Sequence, residues 1–311
     1  MNNKKRVALL MGGMGAEREV SLVTGKGFAQ ALVELGHPHI TIDCREDFLQ
    51  QITEAKNNFK ADVALLALHG KYAEDGIVQG ICEYIKLPYT GAGVMASALC
   101  MDKVYTKEIL VNHQIPTPDY QVVQKNQLAD FKLTLSLPVV VKPSREGSSV
   151  GVSIVKESKE LEPALKLAAS YDQYILIEKY IPGMELTISI LGDQILTPIE
   201  IVPKVDFYDY KNKYTAGRTE YIMPARLKPA ELENAKQIAL KTFQVCRVRT
   251  YGRVDFRVDP NGQPYVMEVN TLPGCTPTSL LPKAARDCGI SFNQLIDTLI
   301  SSATLDYAGV K

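Results

Sequence analysis

The polar and apolar positions of the first hundred residues follow two periods. The runs RVALLM, HITID and DVALLALHG have strand length, and the segments between them repeat their apolar residues at helical spacing. SLVTGKGFAQALVELG predicts a helix ending at Gly36, FLQQITEA a second helix and DGIVQGICEYIKL a third, with PYTGAG a short strand or turn. Such alternation predicts a parallel sheet covered by helices, with ligands gathered beyond the C-terminal ends of the strands. The loops Met11–Glu17 and His69–Gly76 fall at those ends.

Near Met101 the pattern changes. DKVYTKEILVNHQ predicts a helix, and IPTPDYQVV, with two prolines, a connector into an extended strand. PVVVKP, a small-residue loop, GVSIVK, the helix ELEPALKLAAS and YILIEKYI then form an α+β unit of about 80 residues. MELTISIL alternates as a strand. The segment PKVDFYDYKNKYTAGRTEYIMPA has no periodicity but carries four tyrosines, too aromatic for a plain linker. LKPAELENAKQIALKTFQV predicts a helix, YGRVDFRV-DPNG-QPYVMEVN a hairpin, and SFNQLIDTLISSA a last helix with Ser291 and Gln294 as a capping box. The expected organisation is three α/β units, 1–102, 103–186 and 187–311, around a central cleft.

Two stretches carry candidate chemistry. In VKPSREGSSVGVS, a strand lysine, Lys142, precedes Ser144, Gly147, Ser148, Ser149 and Gly151. Backbone N–H groups of such a loop can cradle a phosphate, and a glycine-rich hairpin with a solvated lysine is an equal alternative. In the hairpin, Arg253, Asp255 and Arg257 share one strand face, and Glu268 and Asn270 share one on the partner. A type I turn with a two- or four-residue loop pairs Arg253 opposite Glu268 and leaves Asp255 a diagonal neighbour. Asp255, Glu268 and Asn270 then offer hard oxygen ligands suited to Mg²⁺ with phosphates. A left-handed bulge at Gly262 would shift the parity and break this arrangement, and a solvated, ion-paired face is the plainer alternative.

Composition narrows the field. Of 311 residues 46% are apolar, enough for a sizeable core, and 35 basic residues balance 35 acidic ones. Zero net charge gives no drive toward nucleic acid or acidic membranes. No apolar run reaches the roughly 20 residues a bilayer span needs, and the N-terminus lacks the long apolar region of a signal peptide, so a cytoplasmic location is expected. The six cysteines are dispersed without a C-x-x-C pair, which predicts reduced thiols rather than disulfides or zinc. His37 and His39, flanking Pro38, make no metal site alone. No Walker A sequence is present; Thr24-Gly25-Lys26 lacks its first glycine.

Eight stretches resemble, in order, the D-alanine–D-alanine ligase family of ATP-grasp ligases: GGMGAEREVSL, LHGKYAEDG, PYTGAGVMASALCMDK, PVVVKPSREGSSVGVS, LIEKY, FYDYKNKY, GRVDF and MEVNTLPGCTPTSLLP. The resemblance implies an ATP-grasp fold. It also implies a reaction in which ATP phosphorylates one D-alanine carboxylate and the amine of a second D-alanine attacks the acyl phosphate. The tetrahedral intermediate collapses to the dipeptide. It implies ATP and two Mg²⁺ or Mn²⁺ ions, with a monovalent cation as a further candidate, a homodimer, and no nucleic-acid or membrane partner. On the same ground Lys103 and Lys142 hold phosphates, Lys213 reaches the γ-phosphate, and Asp255, Glu268 and Asn270 hold metal. Glu178, Lys179, Tyr180, Ile181 and Glu185 fall at the adenosine. Arg253 and the Gly274 N–H face the oxyanion. Glu17 meets the first D-alanine ammonium near His69, and Ser148 and Tyr214 hydrogen-bond with Glu17. Ser279 and Leu280 bind the second D-alanine. Each has a plainer reading: Glu17 as a dipole-complementing acid, His69 as a satisfied loop residue, Ser279 as a helix cap, Leu280 as core. Tyr180 stands where tryptophan is common and Ala73 where glycine is. Relatives that make D-alanyl-D-lactate tend to lack the tyrosine matched by Tyr214.

Three rivals differ in class. A dehydrogenase would explain MGGMGAE after a strand and Asp43 at the end of the next, but Arg18 breaks the G-x-G-x-x-G spacing. A silent binding module would not need Arg253, Asp255, Glu268, Asn270 and both phosphate lysines. An ATP-grasp ligase for another acid is disfavoured by EREVS and KNKY.

Overall fold

Three parallel strands form the first sheet of the computed structural model, which describes residues 4–15, 17–203 and 219–309. Strand β1 (Val7–Met11) lies between β2 (His39–Asp43) and β3 (Val63–Leu66). Val7–Leu10 and all of β3 are buried, which is why these strands read as continuous apolar runs. Helices α1 (Arg18–Leu35), α2 (Phe48–Asn57) and α3 (Ile77–Tyr84) connect and cover the sheet. Gly36 closes α1 in the left-handed conformation, its N–H directed at Leu32 and Val33 carbonyls. PYTGAG forms only bridges, through Tyr89 to Ala64 and Thr304. After it comes α4 (Val94–Met101), a helix that the period-based reading did not assign.

The second sheet has the order β4-β7-β5-β6, all antiparallel, from β4 (Tyr120–Gln124), β5 (Val139–Pro143), β6 (Ser153–Val155) and β7 (Tyr174–Lys179). Helix α5 (Lys103–Asn112) precedes it and α6 (Leu161–Ala169) backs it. Val139, Val141, Ile175 and Ile177 point into the core with Ala164, Leu165 and Ala168 of α6. Alternation therefore sends Val140, Lys142 and Glu178 to the opposite face.

Among the described residues the third sheet runs β11-β10-β8-β12-β13, with β9 also on β8. Its strands are β8 (Met184–Leu191), β9 (Gln194–Ile195), β10 (Ile199–Pro203), β11 (Thr219–Ile222), β12 (Tyr251–Val258) and β13 (Pro264–Asn270). Leu186, Ile188, Val254, Phe256 and Val258 pack with Ala235, Ala239 and Phe243 of α7 (Pro229–Val245). The chain then returns to the first unit. Helices α8 (Leu280–Asp287) and α9 (Phe292–Ser301) share one core with β1 and α1: Leu281, Leu295, Ile296 and Leu299 join Leu9, Leu10, Phe28 and Leu32. The capping box expected for α9 is formed, Gln294 N donating to Ser291 Oγ (3.2 Å) and Ser291 N to Gln294 Oε1 (2.8 Å). All six cysteines are free thiols, five of them buried. Among the described residues no helix is long and apolar enough to cross a membrane.

Candidate active site

The carboxylate hairpin departs from the expected register. Gly262 N donates to Asp259 O (2.9 Å), closing the expected type I turn, and Asp259 N donates to Gln263 O (3.0 Å). Gly262 has φ +83°, so it is the left-handed residue that ends a three-residue loop. That single offset pairs Phe256 with Val266, and regular alternation from there would turn Glu268 toward the core. A second offset prevents this. Met267 is an extra residue on β13, and beyond it Asp255 pairs with Glu268 and Arg253 with Asn270. Hence Met267 and Glu268 are consecutive half-buried residues in an otherwise alternating strand. The expected Arg253–Glu268 pairing is thereby corrected: Glu268 stands directly opposite Asp255, and the two offsets together return all three oxygen donors to one face.

Asp255 is densely held. Arg253 donates to both of its oxygens (2.8 Å each), Thr187 Oγ1 to Oδ1 (2.5 Å) and Asn270 Nδ2 to Oδ2 (3.0 Å). Thr187 lies opposite Asp255 on β8, a contact across 68 residues that no local spacing announced. A carboxylate has about four acceptor directions, so a cation competes with Arg253 for the same oxygens. Lys103 Nζ lies 3.3 Å from Glu268 Oε2. Among the described residues no group of three His, Cys, Asp or Glu assembles. Two carboxylates and one amide instead match a hard cation that takes its remaining ligands from phosphate.

The small-residue loop lies beside this hairpin. Ser144 Oγ donates to Asp102 Oδ1 (2.6 Å), and Asp102 caps α5 by accepting from Val104 N (3.0 Å). This joint fixes Lys103, first residue of α5, whose Nζ donates to Glu146 O (2.8 Å). Ser148, with φ +53°, donates to Glu17 Oε1 (2.5 Å), the contact expected between loop and N-terminal unit. Lys71 and Glu146 add an ion pair across the same seam. Gly70 lies so close that a Cβ would sit 2.7 Å from Glu17 Oε2. Hydrogen bonds to a charged group contribute about 1.5–3 kcal/mol. Ser148→Ala is therefore expected to loosen the loop from the N-terminal unit and to lower kcat/KM about ten- to hundredfold with the melting temperature unchanged, as initial-rate kinetics would read.

On β7, diagonal to Lys142 of β5, Glu178 is fully buried. Its carboxylate lies between Lys142 Nζ (2.5 Å) and Lys107 Nζ (3.0 Å). Burial opposes its ionisation, yet the two ammonium groups hold the carboxyl below its ordinary value. Glu178, expected at the adenosine, thus has a structural partnership with both lysines. At the far end, Arg257 holds the 181–185 turn, donating to Ile181 O (3.0 Å) and Gly183 O (2.8 Å) and pairing with Glu185 Oε1 (3.0 Å). Its guanidinium lies 5.8 Å from the Tyr180 ring centroid. Lys179 is exposed, and its N–H donates to Asp119 O (2.9 Å).

His69 is buried, with Nε2 3.0 Å from Thr24 Oγ1 and Nδ1 4.0 Å from Glu74 Oε1. Burial pushes the Glu74 carboxyl up, against the pull of His69. Ser279 occupies the N-cap position of α8, but its side chain makes no cap. Its Oγ accepts from Thr276 N (3.1 Å) and contacts Thr276 Oγ1 (2.8 Å). Ala73 is buried, and Gln79 donates to its carbonyl (2.8 Å). Asp43 is bound by Arg18 through two contacts of 2.7 Å and by Arg45 at 3.0 Å, which removes it as a ribose ligand.

Two cavities divide these residues. One, of 520 Å³, is lined by Glu17, His69, Glu74, Arg253, Gly274, Ser279 and Leu280. The other, of 200 Å³, is lined by Lys142, Glu178, Lys179, Tyr180, Ile181 and Glu185. Lys103, Glu146, Gly147, Ser148, Asp255 and Glu268 line both, so loop and carboxylates form the shared wall. Asn270 lines the larger cavity. Lys213 and Tyr214 lie outside the described residues. The roles of Thr187, Lys107 and Arg257 were not anticipated, and each acts through a partner distant in sequence; Glu74, also missed, pairs with His69 five positions before it.

Comparison with known proteins agrees over most of the chain. Residues 43–92 match the family model described as D-ala D-ala ligase N-terminus, and residues 109–301 that of the D-ala D-ala ligase C-terminus. Proteins named D-alanine–D-alanine ligase from Syntrophotalea carbinolica and Geotalea uraniireducens are each 46% identical, over 97% of this chain and 97% and 96% of theirs. The crystal structure of D-alanine–D-alanine ligase from Bacillus anthracis superposes with a TM-score of 0.84 at 38% identity, covering 96% of this chain and 97% of that one. The same enzyme complexed with ATP gives 0.82 at 35% identity, with the same coverage of both chains.

Proposed function

Because the chain belongs to the D-alanine–D-alanine ligase family, we propose that its two cavities are the amino-acid and nucleotide halves of one ligase site. The activity is ATP-dependent joining of two D-alanines to D-alanyl-D-alanine, a step in making peptidoglycan precursors. The observation that carries the residue assignment is the shared wall. A phosphoryl group passing from the smaller cavity to a carboxylate in the larger must cross at Lys103, Ser148, Asp255 and Glu268.

Glu17 holds the ammonium of the first D-alanine at the mouth of α1, with His69 behind it and Ser148 fixing the carboxylate. This sets the substrate carboxylate toward the shared wall. Lys103 and Lys142 neutralise phosphate oxygens, and Lys213 reaches the γ-phosphate. Asp255, Glu268 and Asn270 would hold Mg²⁺ or Mn²⁺, which supplies charge neutralisation and orientation of the phosphates when bound. The second D-alanine enters with its carboxylate at Ser279 and its methyl group near Leu280. Its amine attacks the acyl phosphate carbon. Arg253 and the Gly274 N–H are preorganised donors for the oxygen that becomes negative. Collapse expels phosphate and leaves the dipeptide. The loop 144–151 excludes water from the acyl phosphate; the segment 203–225, expected to close with it, lies for the most part outside the described residues. A homodimer in the cytoplasm is part of the same proposal.

The test is phosphate release from ATP and Mg²⁺ with D-alanine, compared with L-alanine and with D-alanine plus D-lactate, the product identified by mass. D-alanine-dependent release with dipeptide is expected; release with none of the three would reject the assignment. Tyr214→Phe is expected to raise ATP hydrolysed per dipeptide formed about two- to tenfold, the loss of one hydrogen bond closing the site. A ratio unchanged from one would remove Tyr214 from closure.

A further inference from the structure

Beneath Lys142 and Glu178 lies a third charge, Lys107 of α5, 1% exposed. Its Nζ is 3.0 Å from Glu178 Oε2 and donates to Thr117 Oγ1 (2.6 Å) and Pro118 O (3.1 Å). Lys142 Nζ takes the other oxygen of Glu178, at 2.5 Å. Lys142 and Glu178 line the nucleotide cavity, whereas Lys107 is not part of the described walls of either cavity. One carboxylate therefore bridges an ammonium that faces the nucleotide and one that does not.

The charge balance of this row follows directly. Lys142 with Glu178 alone would be a neutral pair, presenting a dipole to the phosphates. With Lys107 the row sums to one positive charge, in a buried setting where screening is weak. We propose that Lys107 is a positioning residue for the nucleotide site, engaging one oxygen of Glu178 so that Lys142 keeps a net positive charge for the ATP phosphates. The proposal rests on the assignment of the smaller cavity to ATP. Asp119 and the Tyr120 ring, whose centroid is 5.3 Å from Nζ, also face Lys107 and favour its cation. Burial pulls the Lys107 ammonium down, to about 8, against the pull of Glu178, so it stays charged at neutral pH.

The test compares the protein with Lys107→Met, Lys107→Gln and the double variant Lys107→Met/Glu178→Gln. Calorimetry reads the Kd of an imido-bridged ATP analogue with Mg²⁺, and initial rates read KM for ATP and for D-alanine. Each single variant is expected to weaken the analogue and raise the KM for ATP about tenfold, with the KM for D-alanine unchanged, for loss of one unit charge at an effective dielectric of about 20. Each Kd is referred to that of adenosine, which would carry any contact of Glu178 with base or ribose but no phosphate charge; on that ratio the double variant, whose glutamine carries no charge, is expected to recover most of the loss. A structural role predicts additive damage instead, so a double variant worse than Lys107→Met on that ratio overturns the proposal. So does wild-type affinity in Lys107→Gln, which keeps a donor for Thr117 and Pro118 but no charge. If neither single variant folds while the double variant does, the row serves folding and the proposal also falls. Analogue binding without ligation in the wild type would reject the ligase assignment and leave the Lys107 comparison readable. No analogue binding in the wild type would reject the assignment of the cavity to ATP, and the proposal with it.

Discussion

Glu268→Gln is expected to reduce D-alanine-dependent ATP turnover about 10²–10³-fold while the melting temperature stays within a few degrees of wild type. The amide keeps the shape of the side chain and removes only its charge. That charge stands opposite Asp255, beside Lys103, on the wall common to both cavities. Because Glu268 is half-buried at the strand's cleft face, its replacement disturbs no core contact of Val266 or Val269. A steady-state titration of Mg²⁺ separates the possibilities. A raised Mg²⁺ requirement with low residual turnover supports a metal-binding carboxylate pair, and full turnover at ordinary Mg²⁺ would reject it.

Glu178→Ala is expected to destabilise the protein by about 3–5 kcal/mol, since it leaves Lys107 and Lys142 buried together without a counter-charge. Equilibrium denaturation reads the loss; a change under about 1 kcal/mol would mean that the lysines escape to solvent or shed a proton easily. The same carboxylate gives an acid signature. Its folded value lies below the ordinary 4.5, so its contribution is fully present above that pH. The contribution is lost as pH falls through the folded value. Wild-type stability should therefore decline below about pH 4.5, and Glu178→Gln should flatten that part of the decline.

Local patterning carried much of this molecule. The buried strands β1 and β3, the αL end of α1 at Gly36 and the capping box of α9 follow from nearest neighbours along the chain. So does the facing of Lys142 away from the core. What local patterning missed depends on pairings between distant segments. Lys107 meets Glu178 across 71 positions and Thr187 meets Asp255 across 68, and neither helix α5 nor strand β8 carries a spacing that announces it. Asp43 ends a strand where a dinucleotide-binding pattern would place an acid, and it is Arg18, 25 positions away, that holds it. The return of α8 and α9 to the first core is likewise a property of the packed chain. The hairpin register failed for a narrower reason: alternation counts residues, and a bulge is a residue that does not count.

That bulge gives the stretch between the turn and Glu268 one residue of slack. If a single residue were deleted between Pro264 and Met267, the ladder could close up as a regular one. Asp255 would still meet Glu268, with only the local bend lost. A second deletion would leave no spare, and Glu268 would fall opposite Phe256 and turn toward the core. Ligases that differ here by one residue in length can thus keep both carboxylates on the cleft face, whereas a two-residue shortfall would disarm the site without a single substitution at either of them.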